Sequence, residues 1–127
     1  MKKLISAVAI SIFVLTGCGT PGSANLGAQD FQAKVKEAGV ITLDVRTSGE
    51  FMTGHIENAI NVDVEAMNFD SEIAKLDKSA TYAVYCRSGR RSQLAVDRMK
   101  DAGFTNLFNL NAGVEDWVSA GFPLVTN

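Results

Sequence analysis

Apolar residues along the chain fall into short sets that switch between two periods. Ala28 to Ala38 places Phe31, Val35 and Ala38 on one helical face with Gly39 as a stop, and Val40-Ile41-Thr42-Leu43-Asp44-Val45 follows as a strand. Ala59 to Val64 predicts a second strand and Ser71 to Leu76 a short helix. Thr81-Tyr82-Ala83-Val84-Tyr85 reads as a buried strand, and Ser92 to Ala102 as a helix stopped by Gly103. Leu107 to Leu110 is the next strand and Gly113 to Ala120 the last helix. Strands separated by helices need crossover connections, which build an α/β sandwich: a mostly parallel sheet with helices on both faces. Ligands of such sheets sit beyond the carboxyl ends of the strands, where the Thr81–Tyr85 strand delivers Cys86.

Composition narrows this further. A chain of 127 residues, 46% hydrophobic and 20% charged, suits one domain. A formal charge of −2 argues against a basic, nucleic-acid-binding surface. Two cysteines, Cys18 and Cys86, and a single histidine, His55, fall short of the ligand clusters of structural zinc or iron–sulfur sites, so no metal and no other cofactor is expected.

The N-terminus has its own pattern. Lys2 and Lys3 precede an apolar run from Leu4 to Leu15, too short for a comfortable membrane span, and then Leu15-Thr16-Gly17-Cys18. This order resembles the signal peptide of bacterial lipoproteins, which implies removal of residues 1–17 and a lipid on Cys18. The expected address is the bacterial cell envelope, with a membrane contact through that lipid. Gly19 rather than Asp after Cys18 favours the periplasmic face of the outer membrane if the source is Gram-negative. Removal of Lys2 and Lys3 takes the basic residues from 12 to ten against 14 acids, a net charge of −4. Residues 18–27, rich in Gly, Ser, Thr and Pro, read as a flexible tether, and 28–127 as the folded domain, a monomer on that tether. A lipidated Cys18 leaves Cys86 as a lone thiol in an oxidising compartment, either inert and buried or kept for its reactivity.

Its surroundings favour reactivity. Cys86-Arg87-Ser88-Gly89-Arg90-Arg91-Ser92 lies between a strand and a helix, so its backbone amides can curl round the sulfur above a helix N-terminus. Gly89 suits a tight turn, and three of the ten remaining basic residues lie in these seven positions. A thiol of pKa ~8.5 is about 3% ionised at pH 7, and a drop of about two units would make it mostly thiolate with no general base.

Leu43-Asp44-Val45-Arg46, Glu50-Phe51, Gly54-His55-Ile56, Ala59, Asn61, the Cys86–Ser92 loop, Ala112-Gly113-Val114, Trp117 and Gly121-Phe122-Pro123-Leu124 together resemble a single-domain rhodanese. The resemblance runs over residues 28–125. It implies a five-stranded parallel sheet and a sulfurtransferase. In that mechanism Cys86 takes the outer sulfur of thiosulfate, or of a polysulfide, as a persulfide and passes it to cyanide or a thiol. Arg87, Ser88, Gly89, Arg90, Arg91 and Ser92 would form the substrate loop, its arginines holding the sulfonate and its amides the anionic sulfur, with Arg91 folded inward. Asp44, Arg46 and Glu50 would form a structural network tying a strand end to the following helix. His55 and Trp117 are expected in packing roles. The pattern's Gly-Gly before the last helix is Ala112-Gly113 here, and its fifth strand is faint, near Ala24 to Leu26.

Two other functions compete with this one. A phosphatase or arsenate reductase would need arginine where Ser92 stands, because its phosphate cradle is one residue longer. The other is a non-catalytic sulfur carrier or regulatory binding module on the same fold; in the resembling family, domains that have lost activity commonly lose the cysteine, whereas Cys86 is present here with its glycine and arginines.

Overall fold

The computed structural model describes residues 22–127. The leader read at 1–17 and the lipidation site Cys18 lie outside the described residues. The elements run β1 (Gly22–Leu26), α1 (Ala28–Val35), β2 (Val40–Asp44), α2 (Ser48–Thr53), β3 (Ile60–Asn61), α3 (Phe69–Ile73), β4 (Thr81–Tyr85), α4 (Arg90–Asp101), β5 (Asn106–Leu110) and α5 (Gly113–Ser119). All five strands are parallel, in the order β1-β5-β4-β2-β3.

Strand β4 lies at the centre of the sheet and shows why one pattern serves two cores. Tyr82, Val84 and, just beyond the strand, Cys86 point to the face covered by α3 and α4. Ala83 and Tyr85 point to the face covered by α1 and α5. This is the two-residue alternation of extended chain, with both sets apolar because both faces are covered. On the first face Leu43, Val45, Phe69, Ile73, Ala95, Val96 and Met99 pack together. On the second, Phe31 meets Tyr85 and Trp117 edge-on, at 6.3 Å from each.

Helix α4 is amphipathic and buries Ser92, Ala95, Val96 and Met99. It ends in a Schellman pair, Phe104 N–H to Met99 O at 3.0 Å and Gly103 N–H to Lys100 O at 3.0 Å. Its dipole therefore starts at Gly89, beside Cys86, and ends at the opposite pole of the sheet.

Several predicted elements shift. The tether read at 18–27 is corrected from Gly22 to Leu26: this stretch is edge strand β1, paired residue for residue with β5. Its Ser, Ala and Asn side chains carry little strand propensity, and the ladder to β5 supplies the order instead. Helix α1 stops at Val35, leaving Ala38 exposed. The strand expected from Ala59 to Val64 narrows to Ile60–Asn61, although beyond it the amides of Val62 and Val64 still bond Asp44 O and Val45 O at the end of β2. Helix α3 begins at Phe69 rather than Ser71 and ends at Ile73. Helix α2 had no reading from periodicity; the resemblance implied only a helix following the strand end at Asp44.

Candidate active site

Beyond β4 the chain leaves the sheet at Cys86, whose side chain is 0% exposed. It turns at once into α4, and the Gly89 amide donates to Cys86 Sγ at 3.1 Å. Gly89 holds φ +100°, and a Cβ there would overlap the carbonyl of Asn111, so the turn admits only glycine on both counts. The start of α5 secures the loop from the other side. Val114 N–H donates to Cys86 O at 2.9 Å and Glu115 N–H to Arg87 O at 3.2 Å. Gly113, at φ +70°, lies so close to Arg87 O that a Cβ would collide with it. Ala112, by contrast, sits at φ −100° and ψ 7°, open to any L residue.

Burial is the largest single influence on the Cys86 thiol and pushes its pKa up. The Ser92 hydroxyl, with the amides of Ser92, Gly89 and Ser88, together outweighs it and holds the thiol below its ordinary 9.0. Ser92 is itself fully buried, and its hydroxyl donates to Gly89 O at 3.1 Å, fixing the turn whose amide faces the sulfur.

The three loop arginines part company. Arg91 reaches α2 and grips Glu50 with both forks, Nη1 to Oε1 at 2.7 Å and Nη2 to Oε2 at 2.9 Å. Their side chains are 18% and 32% exposed. Chiefly through these hydrogen bonds, Glu50 is held at about 2 instead of 4.5, and Arg91 is raised in turn. Thr47 caps α2, accepting from the Glu50 amide at 3.3 Å and donating to Glu50 Oε1 at 3.2 Å. Arg87 pairs with Glu115 at 3.0 Å on the surface, and Arg90 is exposed and forms no ion pair among the described residues. The expected arginine field on the sulfur is thus largely spoken for, and the loop's amides and hydroxyl act on the thiol instead.

The network expected of Asp44, Arg46 and Glu50 divides. Arg46 pairs with Asp44 at 2.6 Å, and its Nη2 also donates to Gly54 O at 2.7 Å. Asn61 Nδ2 donates to Asp44 O at 3.1 Å and Arg46 O at 2.9 Å. Those bonds tie the end of β2 to the turn after α2 and to β3, whereas Glu50 belongs to the loop. His55 is buried: its Nδ1 donates to Phe51 O at 2.8 Å, its ring stacks on Phe51 at 3.7 Å, and its backbone pairs with Val125. Trp117 Nε1 donates to Pro123 O at 2.9 Å. Both residues pack the fold away from the sulfur.

An open cleft of about 500 Å³ lies beside the loop, with Arg46, Glu50 and Thr53 on one wall and Arg87, Val114, Glu115 and Val118 on the other. Asn111, Glu115 and Tyr85, whose hydroxyl accepts from the Ile56 amide at 3.0 Å, were not singled out from the sequence. Their roles depend on contacts across the fold that no local spacing marks. Among the described residues no group of His, Cys, Asp or Glu could hold a metal ion.

Known proteins are similar to this chain over most of its length. A solved rhodanese-related protein from Thermoplasma volcanium superposes with a TM-score of 0.72 at 28% identity, covering 82% of this chain and 99% of that one. A sulfurtransferase from Allochromatium vinosum is 29% identical over 86 residues, 68% of this chain and 78% of that protein. An adenylyltransferase and sulfurtransferase from Meyerozyma guilliermondii is 31% identical over 115 residues, 80% of this chain and 27% of that protein. The chain spans from 27% to 78% of the length of such curated relatives. The family model described as Rhodanese-like domain matches residues 27–120, from the start of α1 through α5, and the chain therefore belongs to the rhodanese-like domain family.

Proposed function

We propose that this protein is a sulfurtransferase that carries sulfane sulfur on Cys86. The observation that carries the reading is the Gly89 amide aimed at a buried Cys86 sulfur whose thiol is held below its ordinary value. The Cys86 thiolate attacks the outer sulfur of thiosulfate, the S–S bond breaks, and its electron pair leaves with sulfite. Cys86 is left as an anionic persulfide, stabilised by the same amides that favour the thiolate. A thiophilic acceptor, cyanide or a thiol, then attacks the outer sulfur and releases the Cys86 thiolate. The family membership and the sulfurtransferases among the relatives support sulfur transfer in general. A polysulfide could serve as donor by the same displacement.

Steady-state kinetics with thiosulfate and cyanide test this. Parallel double-reciprocal lines, with turnover abolished by Cys86→Ser, are expected of two displacements through one covalent intermediate. Intersecting lines, or turnover in the Ser variant, would sink the proposal. The order of basic residues, apolar run and Cys18 supports export with a lipid on Cys18. An intact Met1 on the membrane-extracted protein would rule that out.

A further inference from the structure

The best-made polar contact at the loop joins it to an element with no assigned part in the chemistry. Arg91 and Glu50 lie 41 residues apart, on α4 and α2, yet share two short, parallel hydrogen bonds in a half-buried setting. Arg91 stands between Gly89, whose amide donates to Cys86 Sγ at 3.1 Å, and the fully buried Ser92, so its guanidinium is carried by the turn that holds the sulfur. The charged groups on the elements packed around the loop are Arg87 beside Cys86, Arg90 and Arg91 in the first turn of α4, Glu50 on α2, the Asp44–Arg46 pair at the end of β2, Glu65 before α3 and Glu115 on α5. Of the three loop arginines, Arg91 is the most buried, and Glu50 is the carboxylate that offsets its charge.

We propose that Glu50 is a positioning residue that fixes the Arg91 guanidinium against α2 and offsets its charge, thereby limiting how far Cys86 ionises. A cation free to face the sulfur would favour the thiolate more strongly, but an over-stabilised thiolate is a weaker nucleophile. The contact with α2 thus sets the reactivity of the loop. This rests on Cys86 being the reacting group, but its test does not need sulfur transfer to occur.

The test is alkylation of Cys86 by iodoacetamide as a function of pH, on the full chain, with the adduct read by peptide mass. Wild type, Glu50→Gln and Glu50→Asp are compared. Glutamine keeps the shape and one acceptor for Arg91 while removing the charge. The midpoint is expected to fall in Glu50→Gln, giving an alkylation rate at pH 7 about three- to tenfold that of wild type. Glu50→Asp, which restores the charge, is expected to bring the midpoint back toward wild type. A Glu50→Gln protein with native circular dichroism and a midpoint that is unmoved, or raised, overturns the proposal. So does a fall that the aspartate leaves uncorrected. Should the glutamine variant fail to fold, Arg91→Lys is read instead: Lys keeps the cation but loses the fork that holds it against Glu50, so its midpoint is expected to fall below wild type, and an unmoved or raised midpoint overturns the proposal. A chain that alkylates as predicted but never forms a persulfide would defeat the proposed function and leave this inference standing.

Discussion

Cys86 and Glu50 show what a single residue's surroundings decide. The sulfur is favoured as an anion by groups with no net charge, the amides of Ser88, Gly89 and Ser92 and the Ser92 hydroxyl, against a burial that opposes ionisation. Glu50 is favoured as an anion by a charged partner, and that difference has a consequence for stability. Its folded pKa, about 2, is depressed from 4.5, so its contribution is fully present above 4.5 and is lost as pH falls through about 2. With solvent screening of a carboxylate that is 32% exposed, the contribution is about 1–2 kcal/mol. Urea unfolding should find Glu50→Gln less stable than wild type by about that amount at pH 7, with the gap closing between pH 4.5 and pH 2. A gap that stayed constant across that range would show that the pair is not responsible. The turn that carries Cys86 was legible as a short contiguous motif between a strand and a helix, but the partner of Arg91 was not, because nothing in a linear chain marks a contact across 41 residues.

At the scale of elements, the turn between β4 and α4 is the part with the least tolerance. Gly89 sits where its φ is positive and its hydrogen meets the Asn111 carbonyl. Gly89→Ala should therefore push the loop from α5, remove the amide from Cys86 Sγ, and cost about 2–4 kcal/mol of stability along with most of the thiol's enhanced reactivity. Thermal melting and alkylation rates would report both effects, and a variant with wild-type reactivity would contradict the geometry. The central elements were readable because burial on both faces makes β4 uniformly apolar and gives α4 a clean buried stripe. Helix α2 escaped notice for the opposite reason. Ser48-Gly49-Glu50-Phe51-Met52-Thr53 buries no residue, contains a glycine, and is held by the Thr47 cap rather than by a periodic apolar face. β3 shrank because an apolar run says nothing about where pairing stops.

For the whole molecule the boundary of the domain is the consequential revision. A tether reading put its start at 28, whereas β1 completes the sheet along the outer edge of β5 from Gly22 to Leu26. Leu26 packs against the core beside Phe31, and Leu26 O accepts from the Asn111 amide at 2.9 Å, next to the carbonyl that confines Gly89. A chain beginning at Ala28 should lose about 3–5 kcal/mol relative to one beginning at Gly22, from the ladder bonds and the apolar contact together. Equal melting temperatures for the two would show that β1 is dispensable. Its polar composition left it only a faint strand near Ala24 to Leu26 in the sequence: an edge strand needs only backbone pairing on one side, and Gly-Ser-Ala-Asn carries the signature of a linker.

Intact mass spectrometry tests the central claim most directly. The reduced full chain is incubated with thiosulfate, freed of excess reagent, and weighed beside Cys86→Ser treated the same way. The account predicts a gain of one sulfur atom in the wild type, located at Cys86, absent from the serine variant and removed by cyanide. A folded, reduced protein that gains no sulfur from thiosulfate or polysulfide, or one that gains it equally without Cys86, would contradict it.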